Sequence, residues 1–324
     1  AGEAALSNWD AGMDMYIYGK LGNLTMTKEG INVLMTNLTG KVPPILQRLD
    51  YIRFNGEAAG YLHDLTLTGL FHTGAGMVKT DVMMSIDEQS MSRTYSGSVA
   101  SADLDLGKLL NQEKKFGKVD FNVELKGFNY KNRYPESYIK GIISSFEYSQ
   151  YQYENIMLDG VYKDGGFNGR LSMDDANGSV QIDGNFNVAK TIPDFNLKAS
   201  VKNLRPHDLH LSDKYENASI SLGLTADFTG KSIDDMNGRI SLDSLQLNAP
   251  DEGGCFLDNL TITAGQVSGE KELRINSSFM TAVIRGDYSY HTIPASVVKT
   301  VQRYIPSLLT IKDNMPEPHN NFQF

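Results

Sequence analysis

The chain has 324 residues, of which 40% are hydrophobic, with 30 glycines, 10 prolines and a formal net charge of −9. This composition excludes a collagen-like or wholly disordered chain, and we expect no nucleic-acid partner because phosphate binding needs an excess of basic residues. The single cysteine, Cys255, excludes an intrachain disulfide and a thiolate zinc cluster. No stretch approaches the roughly 18 consecutive apolar residues of a membrane-spanning helix.

Two short helices are predicted in the first third of the chain. The first lies near residues 44–49, where Pro44 begins an apolar run, since proline is favoured in the first turn of a helix. The second lies near residues 105–111, because Asp105 can cap the apolar run that follows it. Helices are otherwise few, so a parallel sheet of alternating strands and helices is disfavoured.

The strongest pattern, between residues 119 and 264, is the alternation of apolar and polar side chains. A period of two sends successive side chains to opposite faces of a β-strand. The phase slips at Ser244, which indicates a β-bulge. The pattern predicts strands with one polar and one apolar face, and the apolar face carries Val119, Phe121, Val123, Leu125, Val180, Ile182, Phe186, Phe195, Leu197, Val201, Ile220, Leu222, Leu224, Phe228, Ile240, Leu242, Leu260 and Ile262.

A second pattern is the tripeptide apolar-x-Gly, which recurs from Leu38-Thr-Gly40 to Ile284-Arg-Gly286, often at intervals of about 14–15 residues or twice that. Glycine weakens a strand unless it supplies a bend or a bulge, so the repeat predicts a sheet that curves at corresponding places. Together the two patterns predict an all-β fold. We expect about eighteen strands in an elongated, curved sheet of antiparallel type, which forms one continuous groove-like or solenoid-like unit over residues 1–324.

Few residues offer catalytic or metal-binding chemistry. His207 and His210 would point to opposite faces of a strand, which does not suit a shared metal ion. Asp234 and Asp235 precede Met-Asn-Gly, a sequence typical of a turn, and Cys255 has no neighbouring histidine. We therefore expect no enzymatic activity, no catalytic residue, no metal site and no cofactor.

Two features allow more than one interpretation. Tyr148, Tyr151 and Tyr153 could form a platform that stacks a carbohydrate, but tyrosine is also common on half-buried strands. The main helix is predicted near residues 294–305 and is amphipathic, so it would either cover apolar surface of the sheet or touch a membrane surface. Residues 313–324 form a tail that is expected to lead into a further strand, and we expect a fragment of a longer polypeptide.

Several runs resemble one known family. They are Ser101-Ala-Asp-Leu-Asp-Leu-Gly-Lys-Leu-Leu110, Phe116-Gly-Lys-Val-Asp-Phe121, Tyr151-Gln-Tyr-Glu-Asn-Ile-Met-Leu-Asp-Gly160 and Phe228-Thr-Gly-Lys-Ser-Ile-Asp-Asp-Met-Asn-Gly238. These runs are similar to the Bacteroidota form of TamB, the translocation and assembly module family, within the AsmA-like group of bridge-like lipid transfer proteins. The resemblance covers most of the chain.

Membership of this family would imply a non-enzymatic cell-envelope protein, the periplasmic part of a chain anchored in the inner membrane. Its sheet would form a β-taco groove for phospholipid transport between the inner and outer membranes, and the eighteen apolar residues above are the candidate lining. The expected partners are phospholipid acyl chains and an outer-membrane β-barrel assembly partner, which would bind regions outside these residues. The family is also linked to outer-membrane protein assembly and to protein secretion.

The residues themselves leave two questions open. The alternation is the same whether the apolar face closes into a core or stays an open groove. Lipid transport also has two alternatives. One is a scaffold that pairs its sheet edges with unfolded outer-membrane strands by β-augmentation. The other is a secreted β-solenoid that binds glycans through Tyr151 and Tyr153.

Overall fold

A computed structural model describes residues 2–8, 14–39, 42, 44–87, 89–90, 92–129, 136–213, 216–231, 233–250, 253–289 and 321–323. Its strands form one 18-stranded sheet. Each strand pairs antiparallel with the strands that precede and follow it in the chain. Among the described residues no pairing joins the first strand to the last, so the sheet is curled but not closed. The predicted all-β class, a long curved antiparallel sheet with a few short helices, is confirmed.

The strands follow one another as an uninterrupted meander. The first nine are β1 (Glu3–Ser7), β2 (Tyr16–Thr27), β3 (Tyr51–Tyr61), β4 (Asp64–Thr73), β5 (Gly76–Asp87), β6 (Ser92–Asp105), β7 (Phe116–Asn129), β8 (Glu136–Tyr148) and β9 (Tyr151–Lys163). The other nine are β10 (Gly166–Asp175), β11 (Gly178–Asn187), β12 (Asp194–Leu204), β13 (Ser219–Thr229), β14 (Asn237–Ala249), β15 (Gly253–Val267), β16 (Glu270–Ser277), β17 (Thr281–Asp287) and β18 (Asn321–Gln323). The described helices are α1 (Lys28–Thr39), α2 (Pro44–Gln47) and α3 (Leu106–Leu110).

The helices agree only in part with the sequence-based prediction. Asp105 caps α3, since its carboxylate accepts a hydrogen bond from the Lys108 backbone N–H at 2.9 Å. α2 lies within the predicted range 44–49, whereas α1 is a helix that the prediction lacks. The helix expected at 294–305 lies outside the described residues, and so does the tail at 313–324 except for β18.

Local interactions explain why α1 forms between β2 and β3. Its first turn carries Glu29, and the Thr27 hydroxyl accepts a hydrogen bond from the Gly30 backbone N–H at 3.4 Å. Ile31 and Met35 lie one helical turn apart and pack into the same apolar cluster. This spacing of four residues is the helical signal that the sequence contains.

Glycines allow the sheet to bend where adjacent strands approach closely. Gly97 in β6 and Gly184 in β11 have φ angles of +145° and +147°, a region that favours glycine. A Cβ atom would lie 2.0 Å from the Asp81 carbonyl oxygen at Gly97 and 2.3 Å from the Asn196 carbonyl oxygen at Gly184. The expected bulge at Ser244 is also present, because this residue has a φ of 52° and the register of β13 with β14 shifts there.

One margin of the sheet is covered. In a meander, every connection that follows an even-numbered strand lies at the same margin, here called the helical margin. It carries α1, α2, α3 and the segment 205–213 that follows β12. The helices bury an apolar cluster that contains Ile31, Leu49, Ile52, Ala75, Leu104, Leu109 and Val119.

Candidate functional site

The strand registers align one row of apolar residues across seventeen consecutive strands. This inner row contains only glycine and aliphatic residues: Ala4, Gly19, Ala58, Leu67, Val82, Gly97, Leu125, Ile139, Gly160, Gly169, Gly184, Leu197, Ala226, Ile240, Ile262, Ile275 and Ala282. Neighbours in the row are direct cross-strand partners, so no polar side chain interrupts it between β1 and β17.

The residues next to this row in the chain form an entirely polar row on the opposite face. This outer row consists of Glu3, Lys20, Glu57, Thr68, Asp81, Ser98, Glu124, Lys140, Asp159, Arg170, Asp183, Lys198, Thr225, Ser241, Thr261, Asn276 and Thr281. A displacement of one residue therefore separates a purely apolar path from a purely polar one, as the pleat of a strand requires.

The apolar face lies on the inside of the curl. Ile142 and Met157, which project from the outer face, are 51% and 53% exposed, whereas their chain neighbours Ile143 and Ile156 on the inner face are half-buried. Glycines on the inner face, such as Gly169, lie where a Cβ would meet the backbone of the adjacent strand. Side chains converge on the concave side of a curved sheet, so both observations identify the inner face as that side.

All eighteen residues that the sequence assigns to the apolar face project from the inner face. Sixteen of them are half-buried. Val119 is buried among the helices, and Phe186 is 40% exposed near the opposite margin. The same face also carries Leu67, Val82 and Val99 on earlier strands. The sequence-based assignment covered only residues 119 to 264 and did not include them.

The burial of the described inner-face residues differs along the sheet. The buried apolar side chains concentrate in the cluster beneath the helices and in a smaller one of Ala264, Leu273, Ile284 and Tyr288. Between these clusters, the large apolar side chains of the described inner face, here called the trough, stay half-buried.

The segment 205–213 is anchored across the helical margin near the β8–β9 turn. Leu209 is fully buried, and the Tyr153 hydroxyl donates a hydrogen bond to its carbonyl oxygen at 2.8 Å. The Nδ1 atom of His210 lies 2.9 Å from the Ser149 carbonyl oxygen. The trough is therefore covered on this side by a short ordered segment as well as by helices.

The packing of Tyr151 and Tyr153 differs from the open platform considered above. The rings of Tyr151 and Tyr153 are 4.8 Å apart and meet edge to face at 73°, and Tyr153 is buried. Burial raises the pKa of Tyr151 to about 12, and a hydrogen bond to Asp175 adds to the shift. The two rings do not form one flat surface, so their arrangement gives the glycan-binding alternative no support.

The other candidate polar residues make separate local contacts. His207 and His210 lie in the turn segment 205–213 and not on a strand as expected, and His207 approaches Asp208 at 3.7 Å. Cys255 is exposed. Asp234 accepts a hydrogen bond from the Ser289 hydroxyl at 2.9 Å. In the part of the chain that the structure describes, no group of three His, Cys, Asp or Glu side chains could hold a metal ion.

Comparison with known proteins adds no relative. No family model, curated protein or solved structure matches this chain. Among the described residues, no helix has the length and apolar character needed to cross a membrane. The resemblance to TamB therefore stays a prediction that rests on the sequence runs alone.

Proposed function

We propose that the inner face binds the acyl chains of phospholipids and lets them slide along the sheet, without any chemical reaction. The inner row is the observation that carries this proposal, because seventeen strands contribute only glycine or aliphatic side chains to it. Sixteen spacings of about 4.8 Å give a path of roughly 75 Å. An acyl chain forms no hydrogen bonds, so a path of this kind has no polar step that would hold or expel it.

The state of the trough supports lipid binding over a closed core. Apolar surface that stays accessible in water is unfavourable by about 25 cal/mol per Å², and a mobile apolar ligand would cover it. Leu197, Leu224 and Leu242 are all half-buried, so they would contact such a ligand directly. The polar outer row keeps the other side of the sheet in water.

The sharpest test changes two adjacent residues with opposite orientations. Leu224 pairs with Ala199 and Leu242 on the inner face, while Thr225 pairs with Lys198 and Ser241 on the outer face. We expect Leu224→Arg to keep the far-ultraviolet spectrum of a β protein but to lose the phospholipid that copurifies with the parent, as measured by lipid mass spectrometry. Thr225→Arg should keep both. An unchanged lipid content in folded Leu224→Arg would contradict the proposal.

The family resemblance supports a place for this groove in the periplasm, as part of a chain anchored in the inner membrane and working with an outer-membrane β-barrel partner. The exposed thiol of Cys255 allows a direct test of the location. In cells that produce the full-length protein, a membrane-impermeant maleimide that passes the outer membrane should label Cys255. Labelling only after the inner membrane is broken would place the segment in the cytoplasm and contradict this part of the proposal.

A further inference from the structure

On the outer face, apolar side chains of β8 and β9 lie on both sides of the polar outer row. Ile142 in β8 and Met157 in β9 are direct cross-strand partners, and each exposes about half of its surface. Four residues further along the strands, Tyr138 pairs with Val161, and Tyr138 is 37% exposed. Exposed apolar side chains grouped in this way on a soluble surface mark an interaction site.

Charged residues and depressions accompany the patch. Lys140 and Asp159 lie between the two apolar pairs, with 3.2 Å between Nζ and Oδ2. Two shallow depressions of about 360 Å³ and 480 Å³ flank this ion pair. The first is lined in part by Tyr138 and Val161, and the second by Ile142 and Met157. The surface thus combines apolar side chains, charges of both signs and space for side chains of a partner.

We propose that this β8–β9 patch binds a second copy of the chain, with the outer faces of the two sheets in contact. The two copies are related by a twofold axis that runs parallel to the strands, midway between β8 and β9. Such an axis places each residue of β8 opposite its own cross-strand partner in the other copy. Ile142 then meets Met157 of the second copy, Tyr138 meets Val161, and Lys140 meets Asp159. Isologous interfaces of this kind, which use the same patch twice, are the commonest form of soluble oligomer.

The charges on the flanking strands fit the same axis. Outer-row residues on β7 and β10 face each other, which places Glu124 opposite Arg170 of the second copy. Further out, Asp81 on β5 would lie opposite Lys198 on β12. No like charges oppose each other along the outer row from β5 to β12, and complementary charge favours one arrangement over others.

The position of the axis is specific to the β8–β9 pair. A shift by one strand towards β10 would place Ile142 opposite Gln181, and a shift towards β7 would place it opposite Asn122. Of these three axes, only the proposed one joins apolar residues to apolar residues. Eight strands at a spacing of about 4.8 Å give a contact roughly 35 Å long.

Sedimentation of the whole chain at several concentrations tests the proposal. We expect a reversible dimer, and we expect Met157→Glu to raise its dissociation constant at least 100-fold, because the twofold axis repeats the substitution. Thr281→Glu, in the outer row on β17, lies outside the footprint and should leave the dimer unchanged. Unaltered circular dichroism in both variants shows that the fold is retained. A parent that stays monomeric at 100 µM would overturn the proposal.

Charge reversal distinguishes this interface from association through sheet edges. Lys140→Glu and Asp159→Lys should each weaken the dimer, because each variant places like charges opposite one another. An equimolar mixture of the two variants should restore it, since both contacts across the axis then join opposite charges. A dimer that persists in each single variant, or a mixture that stays monomeric, would overturn the twofold arrangement. The dissociation constants of these variants do not depend on lipid binding, so this test is separate from the test of the proposed function.

Discussion

Two regions of one sheet use the same alternation in different ways. In the covered region, β2–β8 with α1–α3, the helices pack on the inner face and bury side chains such as Leu104 and Val119. In the open region, β10–β14, large inner side chains such as Leu224 stay half-buried. The difference comes from the connections between strands. Helices follow β2 and β6, whereas the described connections from β10 to β14 contain no α-helix, and only the segment 205–213 adds cover there.

This contrast separates stability from binding within a single meander. The covered region has an ordinary hydrophobic core, and such a core supplies most of the free energy of unfolding. The open region depends on strand pairing and on its covered neighbours. Under the proposed function, its apolar face would bind a ligand without loss of the fold.

The largest expected effect is an Arg substitution made in each region. Leu104→Arg places a charge in the sealed cluster, where it has no partner, and should lower the free energy of unfolding by about 3–5 kcal/mol. Leu224→Arg should lower it by about 1 kcal/mol, because the long side chain can reach water from the trough. Urea unfolding of both variants measures the difference. Equal losses would show that both regions are closed cores.

The second prediction concerns a feature that both regions share. Gly97 in the covered region and Gly184 in the open region have the same backbone geometry and the same lack of space for a Cβ. Each change to Ala should therefore cost about 3 kcal/mol. Gly19→Ala is the control, because its Cβ would meet nothing closer than Leu21 at 3.8 Å. A tolerated Gly184→Ala would mean that curvature in the open region does not require glycine.

Local features of the fold follow from the sequence, while the difference between the two regions does not. Asp105 and Ser244 reveal a cap and a bulge because each acts on its own backbone. The alternation places residues such as Phe121 and Leu242 on one face, since the pleat alone decides this. The fold class and the inner-face residues can therefore be predicted from the order of residues.

The cover over one margin depends on contacts between distant residues. Leu209 is fully buried, and its carbonyl oxygen accepts a hydrogen bond from Tyr153, which lies 56 positions earlier in the chain. The row from Ala4 to Ala282 depends on the registers of seventeen strands, and one slip would break it. α1 does have a local signal in the spacing of Ile31 and Met35. A short helix among long strands is easily missed, because tertiary contacts provide most of its stability.

The third prediction concerns pH and the attachment of the helical cover. Lys108 in α3 lies 2.7 Å from Asp50, and this hydrogen bond lowers the pKa of the Asp50 carboxyl. A lowered pKa stabilises the fold above the unfolded value of about 3.9, and the contribution disappears as the pH falls below it. Asp50→Asn should lower the melting temperature by about 2 °C at pH 7 and by less at pH 3.

Hydrogen exchange assigns this effect to the covered region. Asp50→Asn should speed amide exchange in α3 at pH 7, because the helix loses its contact with the segment before β3. Asp183 in the open region also has a lowered pKa, caused by hydrogen bonds from Gln181 and Arg170. Asp183→Asn is therefore the matched control and should leave exchange in α3 unchanged. Faster α3 exchange in the control would mean that the two regions do not respond separately.

The smallest expected effect is at Cys255, on β15 beside the open region. Its side chain is exposed, and its cross-strand partner is Leu247. One thiol cannot form a bridge within the chain. Cys255→Ser should therefore change the free energy of unfolding by less than about 0.5 kcal/mol, a shift below roughly 2 °C. Calorimetry of the parent and the variant measures this shift in melting temperature. A larger loss of stability would show that the thiol contacts a buried group. The region beside β14 would then be less open than the exposure of Cys255 indicates.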